Sequence, residues 1–228
     1  MDRYKKVFIV CMCLPFLFCA CPSLNQPRNK VEFYTLEYEP PSIAGLEPLP
    51  FVIRIDRFTV APLYNTNRII FRDGSFKRDA YVYFKWRANP GDLVSHFLGR
   101  DIKQSGLFKA VLPHNSRLTC SSLLEGSVYE FFEWDEEKRW NAILSVSITL
   151  MVENEPDISK RILFQKTYRT RKACNQKHPR ALAEAMSRAM AEISGKIIMD
   201  VYYDLKDQKR ETMGSKSSRP VWKKAESL

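Results

Sequence analysis

Cys21 is preceded by Leu17, Phe18, Cys19 and Ala20, an order of residues that suits one reaction at its thiol. Small Ala20 fits the pocket of a signal peptidase, and a cysteine left at a new amino terminus is an acyl acceptor. Of the six cysteines, Cys11, Cys13 and Cys19 lie upstream of that point, and only Cys120 and Cys174 lie beyond it. Those two stand in no metal-ligand spacing, and His96, His114 and His178 do not cluster with them along the chain. An oxidising compartment favours pairing of two leftover thiols. A consecutive meander of three strands between them opposes it, because a disulfide needs Cα atoms about 5.5 Å apart and a twelve-residue strand spans roughly 40 Å. The expectation is that Cys120 and Cys174 are not bridged.

Other chemistry finds little support. The sequence holds no GxSxG elbow, no HExxH pair and no GxxxxGK[ST] loop. The acidic run Glu130, Glu133, Asp135, Glu136 and Glu137 resembles a set of catalytic carboxylates, but a solvated strand and turn account for it. The expectation is a chain that is not an enzyme, binds no metal and carries no cofactor other than a covalent lipid on Cys21.

The residues before Cys21 have the layout of an export signal. Arg3, Lys5 and Lys6 precede an uncharged apolar run from Val7 to Phe18. A membrane-spanning helix needs about 20 apolar residues, and this run is shorter before it meets Pro22, Ser23 and Asn25. Together with Leu17 to Cys21 it resembles a lipobox, which gives residues 1–20 as signal peptide and a membrane anchor through Cys21. Losing Arg3, Lys5, Lys6 and Asp2 lowers the formal charge from +10 to +8. Half of that excess sits in residues 206–228, with seven Lys or Arg against Asp207, Glu211 and Glu226. A basic excess suits nucleic acid or an anionic membrane surface. Export, and the lack of a nucleic-acid-binding motif, exclude nucleic acid.

Residues 21–30 read as a lipidated tether, 31–205 as one domain with one core, and 206–228 as a basic disordered tail. Strand-like runs rich in β-branched and aromatic residues cover Val31 to Tyr38, Phe51 to Thr59, Asn67 to Arg72 and Ala80 to Trp86. Asn89 as N-cap and Pro90 at the first position then open a helix. Leu93, Val94, Phe97, Leu98 and Ile102 line one of its faces, and Gly106 ends it. Phe108 to Leu112, Leu123 to Trp134, Trp140 to Val152 and Arg161 to Thr170 read as further strands, the middle two as a hairpin. A second amphipathic helix is expected from Pro179 to Leu205. These runs predict an α+β fold, a mostly antiparallel sheet with two amphipathic helices packed on one face.

Five segments resemble the ABC-type transport auxiliary lipoprotein family, which includes the paraquat-inducible C lipoproteins. They are YTL from Tyr34, FTVAPLYNTNRIIFR from Phe58, YVYFKWRANPGDLV from Tyr81, SGLFKAV from Ser105 and LLEGSVYEFFEWD from Leu123. The resemblance spans roughly residues 31–205. Read as residues, most of it is scaffold: Ala61 and Pro62 end a strand, Gly126 interrupts one where a bulge or bend is plausible, Trp86 suits a core and Arg72 an ion pair. The family implies an envelope lipoprotein that docks or assembles an ABC or mammalian-cell-entry (MCE) type lipid transport system and does not hydrolyse ATP. It also implies sorting to the outer membrane, since Pro22 and Ser23 place no Asp after Cys21. The alternative is a lipid carrier with its own apolar cavity, lined by the aromatic runs Tyr81 to Trp86 and Tyr129 to Trp134.

The partners expected are therefore a membrane, MCE-type or ABC transport proteins, and further copies of the chain. Self-association is suggested by charge: residues 158–180 hold eight Lys or Arg and no carboxylate, whereas residues 125–137 hold six carboxylates and no base. On opposite edges they would join copies head to tail into a ring, with Phe131, Phe132 and Trp134 as apolar contacts. Side by side in one sheet they would only neutralise each other.

Overall fold

The computed structural model describes residues 30–74, 76–136, 139–153 and 155–217, with side chains as far as Glu211. Along the chain, β1 (Glu32–Tyr34), β2 (Leu49–Ile55) and β3 (Thr59–Val60) are followed by a 3-10 turn at Pro62–Tyr64. Next come β4 (Arg68–Asp73), β5 (Lys77–Trp86), helix α1 (Pro90–Gln104) and β6 (Phe108–Pro113). The second half holds β7 (Ser122–Glu136), β8 (Arg139–Val152), the single helical turn α2 (Ile158–Arg161), β9 (Ile162–Cys174) and α3 (Pro179–Ser217).

All nine strands share one curled sheet whose spine is β7. On one side, β7, β8 and β9 form an antiparallel meander. On the other, β2, β3 and β4 pair in turn with the start, middle and end of β7, all parallel to it. β6 lies parallel outside β2, while β5 runs antiparallel outside β4 and carries β1 parallel on its far edge. The fold is α+β as expected, but the sheet is mixed and not mostly antiparallel. The physical reason is α1: it carries the chain back along the sheet, so β6 re-enters beside β2 in the same direction, as a crossover connection permits and a hairpin does not. The expected single strand Phe51 to Thr59 is two strands, broken between Ile55 and Thr59 where Phe58 turns into the core.

Both long helices cover one face of the sheet. α1 lies on β6 and β7, α3 on β8 and β9, and the two touch each other. The N-cap expected at Asn89 is present, its Oδ1 accepting from the Gly91 N–H at 3.0 Å, and Gly106 turns the chain after α1 at φ +67°. α3 is capped by His178, whose Nδ1 accepts from the Arg180 N–H at 3.1 Å. Beneath the helices, Trp86, Leu98, Phe131, Leu144, Met186 and Ile197 belong to one continuous core. Each such side chain contributes roughly 1.5–3 kcal/mol by leaving water. α3 does not stop at Leu205. It continues to Ser217, so residues 206–217 of the segment expected to be disordered are helical. Lys206 lies over the Tyr202 ring and Arg210 reaches Asp207 one turn back at 3.7 Å, which supports the extra turns. Residues 218–228 lie outside the described residues.

Candidate functional site

Three of the segments that carry the family resemblance meet at one joint. The Phe58 carbonyl and Val60 lie against Gly91 at the start of α1, and the Phe58 ring lies flat on the place where a Gly126 side chain would be. Gly126 is therefore a seat for an aromatic ring; the bulge of β7 falls two to three residues later, between Val128 and Glu130. Thr59 and Ser127 share a hydrogen bond of 2.6 Å across the β3–β7 pair, and Asn89 Nδ2 donates to Asn65 Oδ1 at 2.8 Å. The joint fixes the angle at which α1 leaves the sheet.

That angle opens a groove of about 830 Å³ between α1 and the β2–β6 pair. Its α1 wall carries Asp92, His96, Arg100 and Lys103, and its strand wall carries Val111, Leu112 and His114. Arg57 grips Asp92 through two hydrogen bonds, Nε to Oδ1 at 2.5 Å and Nη2 to Oδ2 at 2.8 Å. Arg100 stacks over Tyr38 and Phe97 and donates to Asp101, a fully buried carboxylate that also accepts from the Tyr38 hydroxyl at 2.6 Å. Burial and the Asp101 hydrogen bond hold the Tyr38 hydroxyl far above its ordinary titration range. With its walls thus fixed, the groove combines imidazole and ammonium groups with apolar side chains. β6 pairs only with β2 among the described strands, so its second edge offers backbone donors and acceptors beside the groove. The arrangement suits an extended acidic or mixed segment laid along a strand edge.

The residues offered as partner contacts lie elsewhere. Phe131 and Phe132 are each only 1% exposed, so they are corrected from contacts to core. Phe131 meets Trp86 edge-on under the helices, and Phe132 stacks on Tyr64 across the opposite face. Trp134 is half-buried between the guanidinium groups of Arg72 and Arg171, at 4.4 and 4.9 Å from its ring centre. Arg72, expected to form an ion pair, thus stacks on a ring and bonds the Gly74 carbonyl. The charge argument for a ring is also overturned, because the acidic and basic runs neutralise each other within one sheet. Arg169 on β9 reaches Glu130 on β7 at 2.6 Å across β8, Arg171 pairs with Glu136, and Lys177 with Asp135.

One carboxylate of the acidic run is not solvated. Beyond the β7 bulge, Glu133 falls on the helix-facing side with Phe131 and is 1% exposed. Burial raises its pKa, against a Tyr81 hydroxyl 3.3 Å from both oxygens and the nearby Lys177 charge. A carboxyl whose folded pKa is raised gives its full stability below the unfolded value and loses it as pH climbs through the folded one. Glu133→Gln keeps the Tyr81 hydrogen bond and removes the titration. Melting temperatures measured from pH 4 to pH 8 are expected to fall more steeply for the wild type than for the variant; parallel curves would refute the burial.

Cys120 and Cys174 are buried free thiols at opposite ends of β8. Burial first, then the Glu133 charge, pushes the Cys174 thiol up to about 11, and burial also raises that of Cys120. His96 and His114 face the groove, whereas His178 caps α3. Among the described residues no group of three or more His, Cys, Asp or Glu is placed to hold a metal ion, and no helix is long and apolar enough to cross a membrane. Cys21 lies outside the described residues, as do Glu137 and the tether up to residue 29.

The fold has solved counterparts. A Xanthomonas campestris protein described as DUF330 superposes with a TM-score of 0.71 at 13% identity, over 79% of this chain and 99% of that one. An uncharacterized protein superposes with a TM-score of 0.59 at 10% identity, over 75% of this chain and 99% of that one. No family model and no curated protein matches the sequence. At these identities the likeness establishes the fold alone, a curled mixed sheet with helices on one face.

Proposed function

We propose that the chain is a lipoprotein of the bacterial envelope, anchored by a lipid on Cys21 to the periplasmic face of the outer membrane, that docks an ABC or MCE-type intermembrane lipid transport system. The anchor rests on the export layout of residues 1–20 and on Ala20 before Cys21. The docking role rests on one observation, the groove beside the unpaired edge of β6. In this reading the chain performs no catalysis, needs no cofactor besides the covalent lipid and binds no nucleic acid. Self-association belongs to it only through surfaces other than Phe131, Phe132 and the paired charges. The carrier alternative is less favoured, because the aromatic runs divide between packed core and outward face: Trp86, Phe131 and Phe132 are buried in packed clusters while Val82, Tyr83 and Tyr129 face outward.

A photo-crosslinker at Lys103, in the groove, is expected to capture a membrane transport component in intact cells, while one at Lys160 captures none. The lipid extract of the purified chain is expected to hold only the covalent anchor. A stoichiometric free lipid together with no crosslink at Lys103 would favour the carrier and end the docking reading.

A further inference from the structure

The β4–β5 hairpin turns through Gly74 at φ +73° and leaves Phe76 at its tip, 98% exposed. Single exposed apolar residues are ordinary. This one has company along the same strand. Between the pairs Arg68–Lys85 and Ile70–Ala80, β4 spends one residue where β5 spends four, and the resulting bulge pushes out Val82 and Tyr83, 61% and 42% exposed. Next to the bulge, Phe33 of β1 pairs with Lys85 and is half exposed, with Arg87 over its ring at 5.6 Å. Exposed Lys77 follows Phe76 directly, while Arg78 turns back over the Phe132 ring. The surface thus sets exposed apolar groups beside the cations Lys77 and Arg87, with the carboxylates of Glu32, Asp73 and Asp79 among them, a mixed composition that suits the headgroup region of a bilayer. Asp73 lies 4.0 Å from Lys77, and an exposed pair of that length opens at little cost.

The course of the chain selects the same end of the sheet. β1 is parallel to β5 and begins at Glu32 opposite Phe84, so the chain before it points back toward the hairpin tip. The ten residues from Cys21 to Lys30 span at most about 35 Å. The tip lies a few residues of strand rise from the start of β1, roughly 15 Å. The opposite end, at Ser122 and Val152, is about 30 Å away along β7. Ten residues reach the first within about half of their greatest span and need nearly all of it to reach the second.

We infer that the hairpin tip and the β5 bulge form a membrane-contact surface: Phe76 enters the acyl region, Lys77 meets phosphate groups, and Tyr83 and Phe33 lie at the interface with Arg87 beside them. The inference rests on the lipid anchor at Cys21 and adds what that anchor alone does not supply, an orientation. The Ser122 end of the sheet, with the groove on α1, then points away from the bilayer.

The test uses the full lipidated chain, purified from bacterial membranes and reconstituted into vesicles of phosphatidylethanolamine and phosphatidylglycerol. An environment-sensitive fluorophore is placed at Phe76→Cys or, as the distant control, at Ile158→Cys, both exposed positions. Emission from position 76 is expected to shift to the blue and to be quenched by brominated lipid, while position 158 is unaffected. A chain that stays on the vesicles with both probes equally wet overturns the orientation and leaves the anchor standing. A chain that does not bind vesicles overturns both. Protection of position 76 that needs an added protein and not the lipid also refutes it, in favour of a protein partner.

Discussion

Gly91→Ala is expected to lower the stability of the chain by about 1–2 kcal/mol, whereas Gly99→Ala, two turns along the same helix, leaves it unchanged or raises it slightly. A Cβ on Gly91 would lie 2.5 Å from the Phe58 carbonyl oxygen and 2.7 Å from Val60 Cγ2. The oxygen is backbone and cannot swing aside, and the residues next to it, Thr59 and Val60, are held in register with Ser127 and Val128. Overpacking of this kind typically costs 1–3 kcal/mol, more than the roughly 1 kcal/mol that alanine returns as a better helix former. On Gly99 the same Cβ meets only the Cδ1 end of Ile55 at 3.5 Å, an ordinary contact. Urea midpoints of the two variants separate these cases. Equal midpoints would mean that α1 can lift off β3 freely, and the joint would then not set the width of the groove.

Cys21→Ser is expected to move the protein from the membrane fraction to the soluble periplasm, or to leave it as uncut precursor. Each buried methylene contributes roughly 0.8 kcal/mol, and a single acyl chain gives only reversible binding, so durable anchoring takes several chains on one cysteine. No described helix offers a substitute anchor. Fractionation together with fatty-acid labelling reads the outcome. Unchanged membrane association of the serine variant, with no label on the wild type, would remove the lipid from the proposal.

The elements themselves were legible. Pro90 and Asn89 mark the start of α1, Gly106 its end, and the alternation of Leu144, Val146, Ile148 and Leu150 gives β8. Pairing was not, because a strand's pattern of burial records which face is covered and not which neighbour runs which way. Nothing in residues 49–73 says that they lie along β7 as three short parallel pieces. The acidic run misled for a related reason: one residue of bulge at Tyr129 changes which side chains point inward, so Glu133 joins Phe131 beneath the helices. Reading Phe131 and Glu133 as alternate positions of one strand would have marked that carboxylate as buried. The charge blocks misled because β8 brings β7 and β9 within reach of each other, a distance the linear sequence does not contain.

β9 ends the sheet with thirteen residues whose outer backbone has no strand partner among those described. An uncovered edge of that length is a template on which copies of a chain stack irreversibly. This one carries Lys166, Arg169, Arg171 and Lys172 within seven residues. Glu130, Glu136, Glu192 and Asp200, on neighbouring elements of the same chain, partner these cations. A second strand laid on this edge would have to displace these long side chains from carboxylates they already hold, so the same side chains that tie the meander together keep crowded copies from fusing through it.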